Sequence, residues 1–160
     1  MSRLHWIATR TSGRLAIMAR PRAEDWLEAD VDAWKSAGVD QVISLLEQDE
    51  VSELGLQGEP DMCRGKGIGF LSFPIPDRGV PDVREARHLA EMLAREIANG
   101  RSVAIHCRAG IGRSSLLAAC VLVCSGVDAH EALQLIKDAR GVSVPDTEEQ
   151  RDWVLSKSST

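Results

Sequence analysis

The chain contains no tyrosine. Two phenylalanines and four tryptophans are its only aromatics, 4% of 160 residues. Regulation through a phosphotyrosine of its own is thereby excluded. Cysteine is scarce, and Cys63, Cys107, Cys120 and Cys124 show no zinc-type pairing. Free thiols in a reducing cytosol are expected, with no disulfide framework. His5, His88, His106 and His130 are scattered and no acidic cluster has ligand spacing, so neither metal nor cofactor is expected. Basic charge is in deficit: 19 Lys and Arg against 24 Asp and Glu give a net charge of −5. No basic arm or stripe appears, which argues against a nucleic-acid partner. Long apolar runs are also missing. The stretch Leu116–Val123 is too short to cross a bilayer, and Met1–Trp6 does not read as a secretory signal. With no repeat, low-complexity segment or long linker, the expectation is one monomeric, cytoplasmic domain over residues 1–160, without a membrane role.

What is present centres on His106-Cys107-Arg108-Ala109-Gly110-Ile111-Gly112-Arg113-Ser114. The apolar run Ser102–Ile105 precedes it and Leu116–Val123 follows, which reads as strand, tight loop, buried helix. Such a loop sets a thiol and a guanidinium at a helix N-terminus, where free N–H groups and a positive partial charge suit anions. A tetrahedral oxyanion such as phosphate fits a ring of amides and one guanidinium fork. Arg108, Ala109, Gly110, Ile111 and Gly112 are therefore the expected substrate-binding stretch, with Arg108 adding positive charge at the rim. Gly110 and Gly112 let the backbone turn its amides inward. Cys107 is the candidate nucleophile, because a helix N-terminus and nearby cations favour thiolate. Arg113 is the candidate clamp, able to make two parallel charge-assisted bonds.

Strands are expected at Leu15–Ala19, Gln41–Leu46, Ile68–Phe73 and Ser102–Ile105. Helices are expected at Glu24–Ala37, Asp82–Ala98, Gly112–Cys124, from Asp128 to about Arg140, and at Thr147–Leu155. Short helices are expected around Val51–Leu54 and near Met62. This alternation predicts a three-layer α/β fold with a mostly parallel sheet of about four to five strands flanked by helices. Cys120 and Cys124 read as core spacing, and Glu47, Asp49 and Glu50 as a solvated run.

The His-Cys-x5-Arg-Ser stretch resembles the signature loop of cysteine-dependent protein tyrosine phosphatases, most closely the compact dual-specificity type. Pro74-Ile75-Pro76-Asp77-Arg78-Gly79-Val80-Pro81 resembles that family's general-acid loop. Pro145-Asp146-Thr147-Glu148-Glu149-Gln150 sits where the family keeps a water-positioning glutamine. The resemblance implies Asp77 as general acid, Ser114 as the group that helps the sulfur leave, and His106 as the residue that orients the loop. Asp77 also suits a plain turn, while Asp82, the rival acid, reads as a helix cap. Gln150 matches a capping box with Thr147 equally well.

The implied activity is hydrolysis of phosphomonoesters through a cysteinyl-phosphate, on proteins carrying phosphotyrosine, phosphoserine or phosphothreonine. Alternatives are hydrolysis of a small-molecule or lipid phosphate, a phosphate-binding module, or a sulfurtransferase.

Overall fold

The computed structural model describes residues 3–142, 144–145 and 147–156. In chain order the elements are β1 (His5–Ile7), β2 (Leu15–Met18), α1 (Asp25–Ser36), β3 (Gln41–Ser44), α2 (Gln48–Leu54) and α3 (Glu59–Gly65). There follow β4 (Gly69–Ser72), α4 (Val83–Ala98), β5 (Val103–His106), α5 (Gly112–Cys124), α6 (Ala129–Arg140) and α7 (Glu148–Leu155). The strands form one sheet in the order β1-β2-β5-β3-β4. All pairings are parallel except β1 with β2.

Strand periodicity sorts the core into two layers. Leu15, Ile17, Ile43, Val103 and Ile105 face one side, where they pack with residues of α4, α5 and α6. Ala16, Met18, Val42 and Ala104 face the other, against Leu27, Val31 and Trp34 of α1 and Cys63 of α3. Central β5 pairs Ile105 with both Ile17 and Ile43. Helix α5 is buried without a break from Arg113 to Leu122, as expected of a helix apolar on all sides. The expected three-layer architecture is present. The signature loop runs from the C-terminal end of β5 into α5, the end at which open α/β sheets bind ligands.

Several local expectations are corrected. Strand β1 was not expected: three residues are too few to show alternation, and it holds its place by antiparallel pairing and by Arg14 stacking 4.0 Å over Trp6. Strand β3 stops at Ser44, and helix α2 begins at Gln48, ahead of Val51. Cys120 is buried as expected, but Cys124 at the end of α5 is exposed. Among the described residues no helix is long and apolar enough to cross a membrane.

Because Ile105 is fully buried at the centre of the sheet, Ile105→Ala should cost about 2–5 kcal/mol. Urea denaturation should show this as a lowered midpoint with an unchanged slope. A loss below roughly 0.5 kcal/mol would contradict the central packing assigned to β5.

Candidate active site

The end of β5 delivers His106 and Cys107, and the next five residues turn into α5 without a side-chain cap on its first amides. The turn depends on Gly110, whose φ is +74°. A Cβ there would lie 2.5 Å from the Met18 carbonyl carbon, so both conformation and space require glycine. Cys107 is 3% exposed, and its Sγ lies 3.3 Å from Ser114 Oγ. On the opposite, α1 side of the sheet, the buried Cys63 thiol is pushed up to about 12 by burial and by Glu59, which leaves it chemically quiet.

Arg113 is 2% exposed. Its Nη1 donates to Glu50 Oε1 at 2.6 Å and to the Ile75 carbonyl at 3.0 Å, and Nη2 donates to Glu50 Oε2 at 2.9 Å. On its other side Nη2 lies 3.2 Å from Asp77 Oδ1. Burial works against the guanidinium charge. The bonds to Glu50 and the negative charge at Cys107 and Asp77 outweigh it and hold the Arg113 pKa above its ordinary value. Glu50 is kept in line by its backbone setting, since the Glu47 N–H donates to Oε1 at 3.0 Å within a capping box. Arg108 turns the same way, with Nε 3.3 Å from Glu50 Oε2 and Nη2 3.4 Å from Glu53 Oε2.

Beneath the loop, His106 is fully buried. Its Nε2 lies 2.6 Å from Glu59 Oε2, and its Nδ1 lies 3.3 Å from the Cys107 carbonyl oxygen. Glu59 opens α3, so that helix anchors the histidine that precedes the thiol. From α6, Arg140 donates through Nε to the Gly110 carbonyl at 3.0 Å and through Nη2 to the Ala109 carbonyl at 3.3 Å.

Asp77, Arg78, Cys107, Arg108, Ala109, Ile111, Gly112, Arg113 and Gln150 line a cleft of about 200 Å³. Gly110, His106 and Ser114 are buried behind that lining. Asp77 occupies a turn closed by Gly79 N–H donating to the Pro76 carbonyl at 2.8 Å. Its side chain is 58% exposed, so it can reach both Arg113 and a bound molecule. Asp82 caps α4, accepting the Glu85 N–H at 3.0 Å. Gln150 forms the capping box with Thr147 and also donates through Nε2 to the Gly79 carbonyl at 2.9 Å. Asp146, in the stretch that resembles the glutamine motif, lies outside the described residues.

Glu50 corrects the sequence reading most sharply, because it is a buried partner of Arg113 and no part of a solvated run. Glu59 and Arg140 were also missed. The only sequence signal for Glu50 was Glu three residues after Glu47, a spacing that also fits an exposed acidic helix start. Among the described residues no group of three or more His, Cys, Asp or Glu side chains could hold a metal.

The Glu50 pair sets an acid limit on stability. Burial opposes its charge, but the Arg113 bonds, the Glu47 N–H and Arg108 hold its carboxyl below the usual range. A depressed folded pKa gives stability that is present above the unfolded value, about 4.3, and lost as pH falls through the folded value. Glu50→Gln should therefore lower stability near neutral pH and shrink the further loss on acidification. Urea titrations at about pH 7 and about pH 3 measure this difference; an equal acid loss in wild type and variant would contradict the pairing.

A protein-family model described as cyclin-dependent kinase inhibitor 3 (CDKN3) matches residues 21–133. The cyclin-dependent kinase inhibitor 3 of Rattus norvegicus is 31% identical over 130 residues, which cover 80% of this chain and 61% of the relative. The chain thus spans about three fifths of the length of the curated relatives it matches first. A protein tyrosine phosphatase domain-containing protein 1 of Danio rerio is 28% identical over 140 residues, 81% of this chain and 20% of the relative. Among solved structures, kinase associated phosphatase with its catalytic cysteine replaced by serine superposes with a TM-score of 0.88 at 25% identity, over 99% of this chain and 97% of that one. The active form of Tk-PTP gives 0.73 at 28% identity, over 91% of each chain. The chain belongs to the cyclin-dependent kinase inhibitor 3 family and is a domain of the dual-specificity phosphatase type.

Proposed function

We propose that the chain hydrolyses phosphomonoesters by way of a phosphate carried on Cys107, with phosphorylated protein side chains as substrate. The observation that carries this reading is the meeting of three groups in one cleft: the Cys107 sulfur at its base, the Arg113 guanidinium beside it and the Asp77 carboxyl at its mouth. The family's names, with a kinase inhibitor and a kinase associated phosphatase among them, favour a phosphoprotein substrate. A cytoplasmic, monomeric domain fits the composition.

In the first step the Cys107 thiolate attacks phosphorus. The S–P bond forms, the P–O bond to the leaving group breaks, and Asp77 gives its proton to the departing oxygen. Arg113 and the loop amides hold the three equatorial oxygens, where charge is spread in the transition state. Asp77 and an incoming phosphoryl group compete for Nη2 of Arg113, so binding the phosphate releases the acid toward the leaving oxygen. In the second step water attacks phosphorus, Asp77 takes a water proton, and sulfur leaves as thiolate with Ser114 Oγ donating to it. Gln150, which lines the cleft and donates through Nε2 to the Gly79 carbonyl, is the candidate to orient that water with its remaining amide hydrogen-bonding capacity.

Cys107→Ser should abolish release of phosphate from an aryl ester; substantial residual turnover would rule out the covalent route. Asp77→Asn should lose roughly 10²–10⁴-fold in rate with an alkyl leaving group and much less with nitrophenolate. Steady-state kinetics on both substrates check this. An equal loss on the two would mean that Asp77 does not supply the proton.

A further inference from the structure

We infer that Arg140 is a positioning residue that locks the anion loop in its productive conformation, an inference that rests on the loop being a phosphoryl site. A ring of amides can face one centre only if the intervening carbonyls face away, and those carbonyls then need donors of their own. Three of the four carbonyls from Cys107 to Gly110 accept from such a donor, and the fourth faces a ring nitrogen. The Cys107 oxygen faces His106 Nδ1 at 3.3 Å. The Arg108 oxygen accepts the Arg20 N–H at 3.2 Å. The Ala109 and Gly110 oxygens, at the crest of the loop, both accept from Arg140, at 3.3 and 3.0 Å.

The crest is where outside support matters most. Gly110 must be glycine, since its φ is +74° and a Cβ would run into the Met18 backbone. Glycine visits both signs of φ readily, so the residue that permits the turn gives it no stiffness. A side chain at that position cannot add any. Two bonds from one planar guanidinium fix the orientation of consecutive peptides, which a single donor cannot do. Arg140 is itself anchored as the last residue of α6, just before Gly141 ends the helix in the left-handed conformation at φ 81°. Its positive charge also suits a helix C-terminus.

The test separates positioning from charge. Tungstate binding to Cys107→Ser protein is measured by titration calorimetry, alone and combined with Arg140→Met, Arg140→Lys or Lys137→Met. Both Arg140 substitutions should weaken binding by about tenfold to a hundredfold, with a cooperative urea transition retained. Lysine should fail to rescue, because it keeps the charge and loses the fork. Lys137→Met removes an exposed charge from the same last turn and should leave affinity within about twofold. Full affinity in Arg140→Lys would reduce the role to charge, and full affinity in Arg140→Met would show that the loop holds itself; either overturns the inference. Absence of tungstate binding in the Cys107→Ser parent would instead overturn the phosphoryl-site reading, and this inference with it. A further check in the Cys107 enzyme is that kcat/KM for an aryl phosphate falls alongside anion affinity in both Arg140 variants.

Discussion

The Arg113–Glu50 pair is the interaction on which the rest of the site depends. A guanidinium 2% exposed would be prohibitively costly to bury alone. Two parallel bonds to Glu50 and a third to the Ile75 carbonyl satisfy it. Those three bonds occupy Nη1 and one edge of Nη2. They leave the opposite edge toward the cleft, where Asp77 now sits. The pair also ties three parts of the fold together: the start of α5, the first turn of α2 and the approach to the acid loop at Ile75. Positioning of the clamp and stability of the fold are in this way one and the same requirement.

Around that pair, helices from both sides of the sheet converge on the C-terminal end of β5. Helix α3 supplies Glu59 to His106, and α6 supplies Arg140 to the loop crest. Helix α7 supplies Gln150 to the Gly79 carbonyl. The cleft is small, about 200 Å³, and Arg108, Arg113 and Gln150 in its wall are each bonded to a group from another element. Such a site recognises a compact anion by fixed geometry more than by adaptation.

Much of this was legible in the residues. Helix α5 falls at Gly112–Cys124, as its apolar run and preceding glycine predict, and the β5–loop–α5 unit followed from local pattern alone. What could not be read was pairing across the chain. Glu50 looks like any acidic residue after a strand until Arg113, 63 positions away, is brought to it. Arg140 looks like an ordinary basic residue at a helix end, a place arginine often fills for the helix dipole, until the fold sets it against Ala109 and Gly110. Gln150 illustrates the reverse. Its capping-box reading followed from the Thr147 spacing, and its Oε1 does accept the Thr147 N–H, while its Nε2 reaches the Gly79 carbonyl. Strand β1 was missed because its three residues gain their structure from a partner strand and carry no pattern of their own.

The central claim is that phosphate passes through Cys107. Ser114→Ala removes the hydroxyl 3.3 Å from the sulfur and should slow the second step more than the first, so that the intermediate accumulates. Rapid acid quench of that variant during turnover of an aryl phosphate, followed by peptide mass spectrometry, should find the phosphate on the peptide containing Cys107. Product release without any phosphate bound to that peptide, or phosphate on another residue, would contradict the account.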